Sequence, residues 1–143
     1  CGGAAGLLGT AAMDLVIVWF LAAVGMPPGL VHFFIGDVTK QFFLRIGIAV
    51  SGCVGLGALV HFGLGLVLGT VFGLAVTRVK RLHLDSVVKG ALLGVLDIEI
   101  VSQPILLSAR LLMTMSTSDV LQWYVLSTSM HLIYGIVLGV VLA

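Results

Sequence analysis

Long apolar stretches alternate with short polar segments along the whole chain. Four of these stretches, at about 4–25, 55–76, 88–109 and 120–143, match the roughly 20 apolar residues that a membrane-spanning helix needs. The first stretch stops at Pro27 and Pro28, where a helix cannot continue. The pattern therefore predicts four membrane-spanning helices in a single transmembrane domain, residues 1–143.

The segment 30–43, between the first two spans, has a different pattern. Its apolar residues recur at spacings of three and four while its polar residues take the opposite side: Val31, Phe34, Ile35, Val38 and Phe42 against Asp37, Lys40 and Gln41. This pattern is typical of a short amphipathic helix lying in the plane of the lipid headgroups. An ordinary loop rich in phenylalanine is the alternative.

Composition places the four helices in lipid. Of the 143 residues, 60% are hydrophobic and 9% are charged, whereas soluble domains carry about 25% charged residues. The predicted fold class is an all-α, integral membrane four-helix bundle. A net charge of +1 argues against nucleic acid as a partner, so the bilayer and other membrane subunits are the expected partners.

The basic residues predict an orientation. Four of the seven lysines and arginines lie between the second and third spans: Arg78, Lys80, Arg81 and Lys89. The positive-inside rule places this segment, and with it both termini, on the cytoplasmic side of the cell (plasma) membrane. The other three basic residues then fall on the outer side: Lys40, Arg45 and Arg110.

Two pairs of segments repeat. HFGLGLVLG, residues 61–69, returns as HLIYGIVLG, residues 131–139, and GLLGTAAMD, residues 6–14, resembles GALLGVLDIE, residues 90–99. The second alignment places Asp14 against Glu99. We interpret the chain as two similar helical hairpins, each with an acidic helix followed by a histidine helix. The alternative is chance similarity among helices rich in glycine, valine and leucine.

Small residues mark the packed faces of these helices. The histidines at 61 and 131 continue at four-residue spacing into glycines that favour close helix packing: Gly65, Gly69, Gly135 and Gly139. The rise of about 1.5 Å per residue brings Asp14, His61, Glu99 and His131 to similar depths. Ionised residues at such depths are costly and usually have a partner inside the bundle, so we expect these four to meet.

The third span carries two acids on different faces. Asp97 shares a face with Gly90 and Gly94, whereas Glu99 lies about 200° away, as the 3.6-residue helical turn dictates. One of them must therefore contact a partner subunit or be protonated in an apolar site. The repeat favours Glu99 as the inward acid.

The four residues allow several kinds of chemistry. Asp14, His61, Glu99 and His131 have the donor atoms of a transition-metal site, as in metal-binding helical bundles. His61 and His131 could also ligate a haem from its two sides. Simple pairing of each histidine with an acid is the plainer interpretation, and a proton or ion path through Asp14 and Glu99 is a further one. His32 and His83 are interpreted as interfacial or loop residues.

Several motifs together resemble a known family. They are G-x-x-x-T-x-x-M-D ending at Asp14, the Gly25–Pro28 break, H-F-x-x-G-x-x-x-G from His61, K-G-A-L-L-G from Lys89, and H-L-x-Y-G-x-x-L-G from His131. This set resembles an uncharacterised family of small four-helix membrane proteins of bacteria and archaea, a domain of unknown function. The resemblance implies four spans with two histidine helices and supplies no activity.

The sequence leads to two hypotheses about function. The first is a non-catalytic subunit of a larger, energy-converting membrane complex, holding a haem b or a transition metal at His61 and His131. The second is a small proton- or ion-coupled carrier or channel that uses Asp14 and Glu99. No hydrolase, phosphate-binding or dinucleotide-binding motif is present, so we do not expect a catalytic site.

Overall fold

The computed structural model describes residues 1–143, and it is all-helical, with 83% of residues in helices and no strands. The all-α prediction is confirmed. Five helices follow one another along the chain: α1 (Gly2–Ala23), α2 (Leu30–Arg45), α3 (Val54–Arg78), α4 (Val87–Met113) and α5 (Thr117–Leu142). All but α2 are long and apolar enough to cross a membrane. A single 3-10 turn, Lys80–Leu82, lies between α3 and α4.

Local side chains set where the helices start. Ser116 accepts a hydrogen bond from the backbone N–H of Asp119, and the Asp119 carboxylate accepts one from the Ser116 N–H, which makes a capping box at the start of α5. Ser86 caps α4 in the same manner through the N–H of Lys89. These caps satisfy backbone donors that the first helical turn leaves free. They explain why α4 and α5 begin directly after the polar segments.

Two antiparallel hairpins form the bundle, one from α1 and α3 and the other from α4 and α5. In the first, Gly6 packs against the backbone of α3 at Gly65 and Gly69; in the second, Gly94 packs against Gly135. These contacts bring the helix backbones together, as small residues at four-residue spacing allow. The predicted packing glycines therefore lie between the paired helices.

Tyr134 joins the two hairpins. Its ring is fully buried against Gly9 of α1, and its hydroxyl donates a hydrogen bond to the carbonyl of Gly65 in α3 at 3.3 Å. One side chain from α5 thus contacts both helices of the first hairpin. The buried residues around it, including Met13, Leu68 and Leu138, form the core of the bundle.

Helix α2 packs along α3 in the opposite direction. Its backbone at His32 touches Gly57, and its backbone at Gly36, one turn later, touches Cys53 at the start of α3. The beginning of α2 therefore packs against the beginning of α3. The sequence pattern of residues 30–43 predicted instead a helix that lies in the plane of the headgroups. The glycines allow this approach because neither presents a side chain between the two helices. On another face of α2, Phe34 stacks on Trp123 of α5, with ring centroids 4.1 Å apart.

Large apolar side chains cover the outside of the bundle. Trp19 is 78% exposed, and leucines on each long helix are more than half exposed, including Leu15, Leu59, Leu92 and Leu121. In water such a surface would be strongly unfavourable, whereas lipid solvates it. The structure is thus that of a membrane protein.

The segment between α3 and α4 is polar. The Lys89 ammonium donates hydrogen bonds to the carbonyl of His83 at 2.6 Å and to the Asp85 carboxylate at 3.2 Å. The hydrogen bond from Lys89 lowers the pKa of Asp85 below its ordinary value. This exposed network ties the segment to the first turn of α4.

The glycine packing yields a stability prediction. A Cβ atom at Gly69 would lie 2.5 Å from the Cα atom of Gly6, whereas a Cβ atom at Gly63, on the same helix, would meet nothing within 4 Å. Overpacking a tight contact costs about 1–3 kcal/mol. We expect Gly69→Val to lower the unfolding free energy in detergent by about that amount. Gly63→Val is the matched control, and equal effects of the two variants would contradict the packing account.

Candidate functional site

Three titratable side chains from three helices meet near the middle of the bundle. Asp14 on α1 lies between His32 on α2 and His61 on α3. The distance from His32 Nε2 to Asp14 Oδ2 is 3.0 Å, and that from His61 Nε2 to Asp14 Oδ1 is 3.2 Å. The three side chains are between 12% and 20% exposed. We refer to these residues as the Asp14 cluster.

The glycine contacts position this cluster. Thr10 is fully buried, donates to the carbonyl of Gly6 at 3.0 Å and faces Gly65. Asp14 lies one turn beyond Thr10, and His61 lies one turn before Gly65 on the antiparallel helix, so the two side chains meet at the next level. The approach of α2 to Gly57 brings in His32 from a third direction.

The donor atoms of the Asp14 cluster suit a transition metal ion. One atom from each residue can be chosen so that all three lie within 4.8 Å of one another. Asp14 Oδ1 is buried and has no hydrogen bond, because its 3.2 Å approach to His61 Nε2 lacks hydrogen-bond geometry. A buried carboxylate oxygen without a donor is costly, and a cation would satisfy it. Two imidazoles and one carboxylate are a common ligand set for first-row transition metals.

The second hairpin contains a separate pair, Glu99 and His131. His131 Nδ1 lies 2.7 Å from Glu99 Oε1, and Gln103 donates a hydrogen bond to the other carboxylate oxygen. The remaining nitrogen, His131 Nε2, lies 3.3 Å from the hydroxyl of Ser127. Ser102 also approaches His131 Nδ1, at 3.5 Å. Both nitrogens of His131 and both oxygens of Glu99 therefore have partners within the protein.

The structure brings the four predicted residues together as two pairs and not as one site. Asp14 pairs with His61 in the first hairpin, and Glu99 pairs with His131 in the second. The cluster with metal-binding spacing contains Asp14 and His61 and takes its third member from α2 instead of from Glu99 or His131. Each hairpin is antiparallel and brings its own acid and histidine to the same level. The two side chains therefore pair within their hairpin and not with residues of the other hairpin.

The arrangement does not fit a haem between His61 and His131. Axial ligation needs one free imidazole nitrogen on each side of the iron. Nε2 of His61 lies against Asp14, and the two nitrogens of His131 lie against Glu99 and Ser127. His131 would therefore have to leave one of its partners before it could ligate an iron.

A cavity of about 460 Å³ separates the two pairs. All five helices contribute to its walls, which are mostly apolar. Asp14 and His61 line one side, and Ser102, Ser127 and His131 line another. The cavity is within the size range of small-molecule sites, about 300–1,000 Å³.

The two acids of α4 have different surroundings. Glu99 points across the hairpin to His131, in the direction that the repeat favoured. Asp97 is partly buried, and its Oδ2 atom is buried without a hydrogen-bond partner. Asp97 is therefore the acid to which the two alternatives from the sequence, contact with a partner subunit or protonation, apply.

His32 is the site residue that the sequence interpretation missed. It was assigned to the interface or a loop, as was His83, which is exposed between α3 and α4. A signal was present, because His32 precedes Gly36 by four residues, as His61 precedes Gly65 and His131 precedes Gly135. All three histidines thus stand one turn before a glycine at a close helix contact.

Comparison of the chain with protein-family models, curated proteins and solved structures finds no match. The resemblance to a family of small four-helix membrane proteins stays a prediction.

The pairing in the second hairpin predicts a difference between two carboxylates. Removing one partner of a buried ion pair costs about 3–5 kcal/mol, and partial exposure reduces this. We expect Glu99→Ala to lower the unfolding free energy by about 2–3 kcal/mol, because it removes the carboxylate that pairs with His131 Nδ1 and with the Gln103 amide. Asp85→Ala removes an exposed carboxylate paired with Lys89 and should change the unfolding free energy little. Urea titration in detergent measures both, and an unaffected Glu99→Ala protein would contradict a structural role for the pair.

Proposed function

We propose that the protein is a metal-binding protein of the cell membrane that holds a divalent transition metal ion at Asp14, His32 and His61. The observation that carries this proposal is the convergence of three ligand side chains from three helices, with one buried carboxylate oxygen left without a hydrogen bond. Glycine contacts fix the backbones on which these ligands stand. The site is therefore built before an ion arrives.

The ligand set narrows the class of ion. Imidazole nitrogen with carboxylate oxygen suits zinc, iron, manganese and copper, whereas magnesium and calcium prefer oxygen ligands alone. Three protein ligands leave at least one coordination position open. When bound, the ion would act as a Lewis acid towards a group that enters from the cavity.

The setting of the site supports a location inside the bilayer. Asp14 lies nine residues before the end of α1, which corresponds to a depth of about 13 Å from that end. The cytoplasmic position of the segment between α3 and α4, which carries most of the basic residues, is part of this proposal. The plasma membrane is the proposed location.

A non-catalytic role within a larger membrane complex is the proposed context. Ser127, His131 and Glu99 stand in the order of a nucleophile, a base and an orienting acid. Ser127 lies within α5, however, where backbone N–H groups are bonded to carbonyls of the preceding turn, so no backbone donors are left for an oxyanion. The connections between the long helices are also too short to form a domain outside the membrane.

The metal proposal is tested with cobalt(II), whose visible absorption reports its ligands. We expect the purified protein to bind one Co²⁺ ion per chain, with a spectrum that zinc abolishes by competition. His32→Ala should weaken binding on the order of 100-fold, because it removes a ligand. His83→Ala, an exposed histidine in a connecting segment, is the matched control.

Two outcomes would contradict the metal proposal. One is the absence of a saturable Co²⁺ spectrum from protein stripped of metal. The other is equal binding by the His32→Ala and His83→Ala proteins, because the site would then lie elsewhere.

A proton- or ion-coupled carrier is the second candidate. It is favoured by the placement of Asp14 and His131, from different hairpins, on the walls of one cavity. Such residues within spans often form proton relays. A carrier would need a proton or ion path that connects Asp14 with Glu99. These two acids belong to separate pairs, and the cavity lies between the pairs.

The carrier hypothesis predicts flux across sealed vesicles. Proteoliposomes containing the protein should dissipate an imposed pH gradient faster than empty vesicles, and Asp14→Asn should reduce the rate to the empty-vesicle level. Asp85→Asn, which changes an exposed carboxylate outside the spans, should leave the rate unchanged. A pH gradient that decays equally in protein-containing and empty vesicles would rule out proton coupling.

A further inference from the structure

The cavity between the two hairpins has polar and apolar surfaces in separate places. The Asp14–His61 pair of the first hairpin and His131 with Ser102 and Ser127 of the second hairpin line it. Most of the remaining wall is apolar. Such a division is expected for a ligand that carries a polar head on a largely apolar body.

The serine hydroxyls in this cavity are loosely held. The contact of Ser127 with His131 is 3.3 Å long, and those of Ser102 with His131 and with the Glu99 carbonyl are 3.5 Å. Hydroxyl hydrogen bonds are usually about 2.7–2.8 Å long. Both hydroxyls are therefore free to donate a better hydrogen bond to an acceptor on a ligand.

The charges around the cavity exclude anionic head groups. No lysine or arginine lines it, whereas the Asp14 carboxylate does. The Glu99 carboxylate also lies directly behind His131. A phosphate or fatty-acid carboxylate would meet repulsion without a counter-charge, so the head must be neutral and must accept hydrogen bonds.

The outer part of the cavity favours a flat ring and an exit to lipid. Phe34 and Trp123 line it as a stacked pair with an interplanar angle of 16°. Phe42 and Ile105 line the cavity and are also 54% and 40% exposed on the outside of the bundle. The cavity therefore reaches the outer surface of the bundle at these two side chains. Pro104, next to Ile105, lacks the backbone N–H that would bond the preceding turn of α4.

From these observations we propose that the cavity binds a lipophilic quinone, with its carbonyl oxygens towards Ser127 and Ser102 on one side and His61 on the other, and its chain leaving between α2 and α4. A quinone is neutral, flat and carries two opposed acceptor oxygens, which matches the two polar sides. The proposal concerns binding alone. It does not rest on the metal proposal: Asp14 and His61 line the cavity and His32 does not, and the quinone is proposed to bind the protein without a bound metal ion.

Tryptophan fluorescence tests the proposal, because quinones quench nearby indoles. Trp123 lines the cavity, whereas Trp19 is 78% exposed on the lipid-facing surface. We would titrate a benzoquinone bearing an alkyl chain into two single-tryptophan proteins in detergent, Trp19→Phe and Trp123→Phe. Saturable quenching of Trp123 with only linear quenching of Trp19 is expected. Linear quenching of both would mean simple partition into the micelle and would overturn the proposal.

Two serines on α5 provide a matched pair of variants, made in the Trp19→Phe protein. Ser127 lines the cavity, whereas Ser129 is exposed and donates to the carbonyl of Val125. Ser127→Ala should weaken quinone binding about tenfold, the effect of one lost hydrogen bond, and Ser129→Ala should not. Equal affinities of the two variants would overturn the placement of the head group.

Two further measurements separate the proposal from its alternatives. An alcohol with the same alkyl chain should displace the quinone poorly, and displacement at equal concentration would mean that the chain alone is recognised. In the His32→Ala protein, quinone binding should persist while Co²⁺ binding weakens on the order of 100-fold. Loss of both ligands there would tie the quinone to the metal cluster and overturn their independence.

Discussion

The cost of placing ionisable side chains among apolar helices governs this structure. An isolated carboxylate or imidazolium at such depth is unfavourable by several kcal/mol, about 2.5–3.5 on the most lenient scale. Asp14 and Glu99 each meet this cost by pairing with imidazoles on other helices. Since a pair needs both partners at one depth, the pairs restrict how far the helices can slide past each other. The register between paired helices is therefore set by the polar pairs as well as by the packing.

Glycine contacts make this pairing possible. An imidazole and a carboxylate can meet only when the helix backbones are close, and Gly6, Gly65 and Gly69 bring α1 against α3. Gly94 and Gly135 do the same for α4 and α5. The positions of the polar and the small residues are therefore linked. Each histidine stands one turn before the glycine that brings its partner helix near.

The sequence predicted most of this architecture, since hydropathy and proline breaks reveal long spans. It also placed Asp14, His61, Glu99 and His131 at similar depths, because rise per residue is a local property. Pairing of each histidine with an acid was the plainer of the alternatives, but the sequence could not decide between two pairs and one site of four residues. That depends on which hairpin each helix joins and how far apart the hairpins stand. His32 was missed for a related reason, because the amphipathic pattern of residues 30–43 describes α2 as a helix but does not show that it packs along α3.

The two hairpins have similar sequence patterns, but the acid and histidine of each have different partners. In the second, Gln103 donates to the other carboxylate oxygen of Glu99, and Ser127 lies against the other nitrogen of His131, so both groups have partners within the protein. In the first, the additional helix α2 contributes a second histidine, and Asp14 Oδ1 still lacks a hydrogen bond. A saturated pair stabilises a fold, whereas an unsaturated cluster of ligands has room for a cation. The packing of α2 against only the first hairpin thus gives the Asp14 cluster its third side chain, on which the proposed metal site depends.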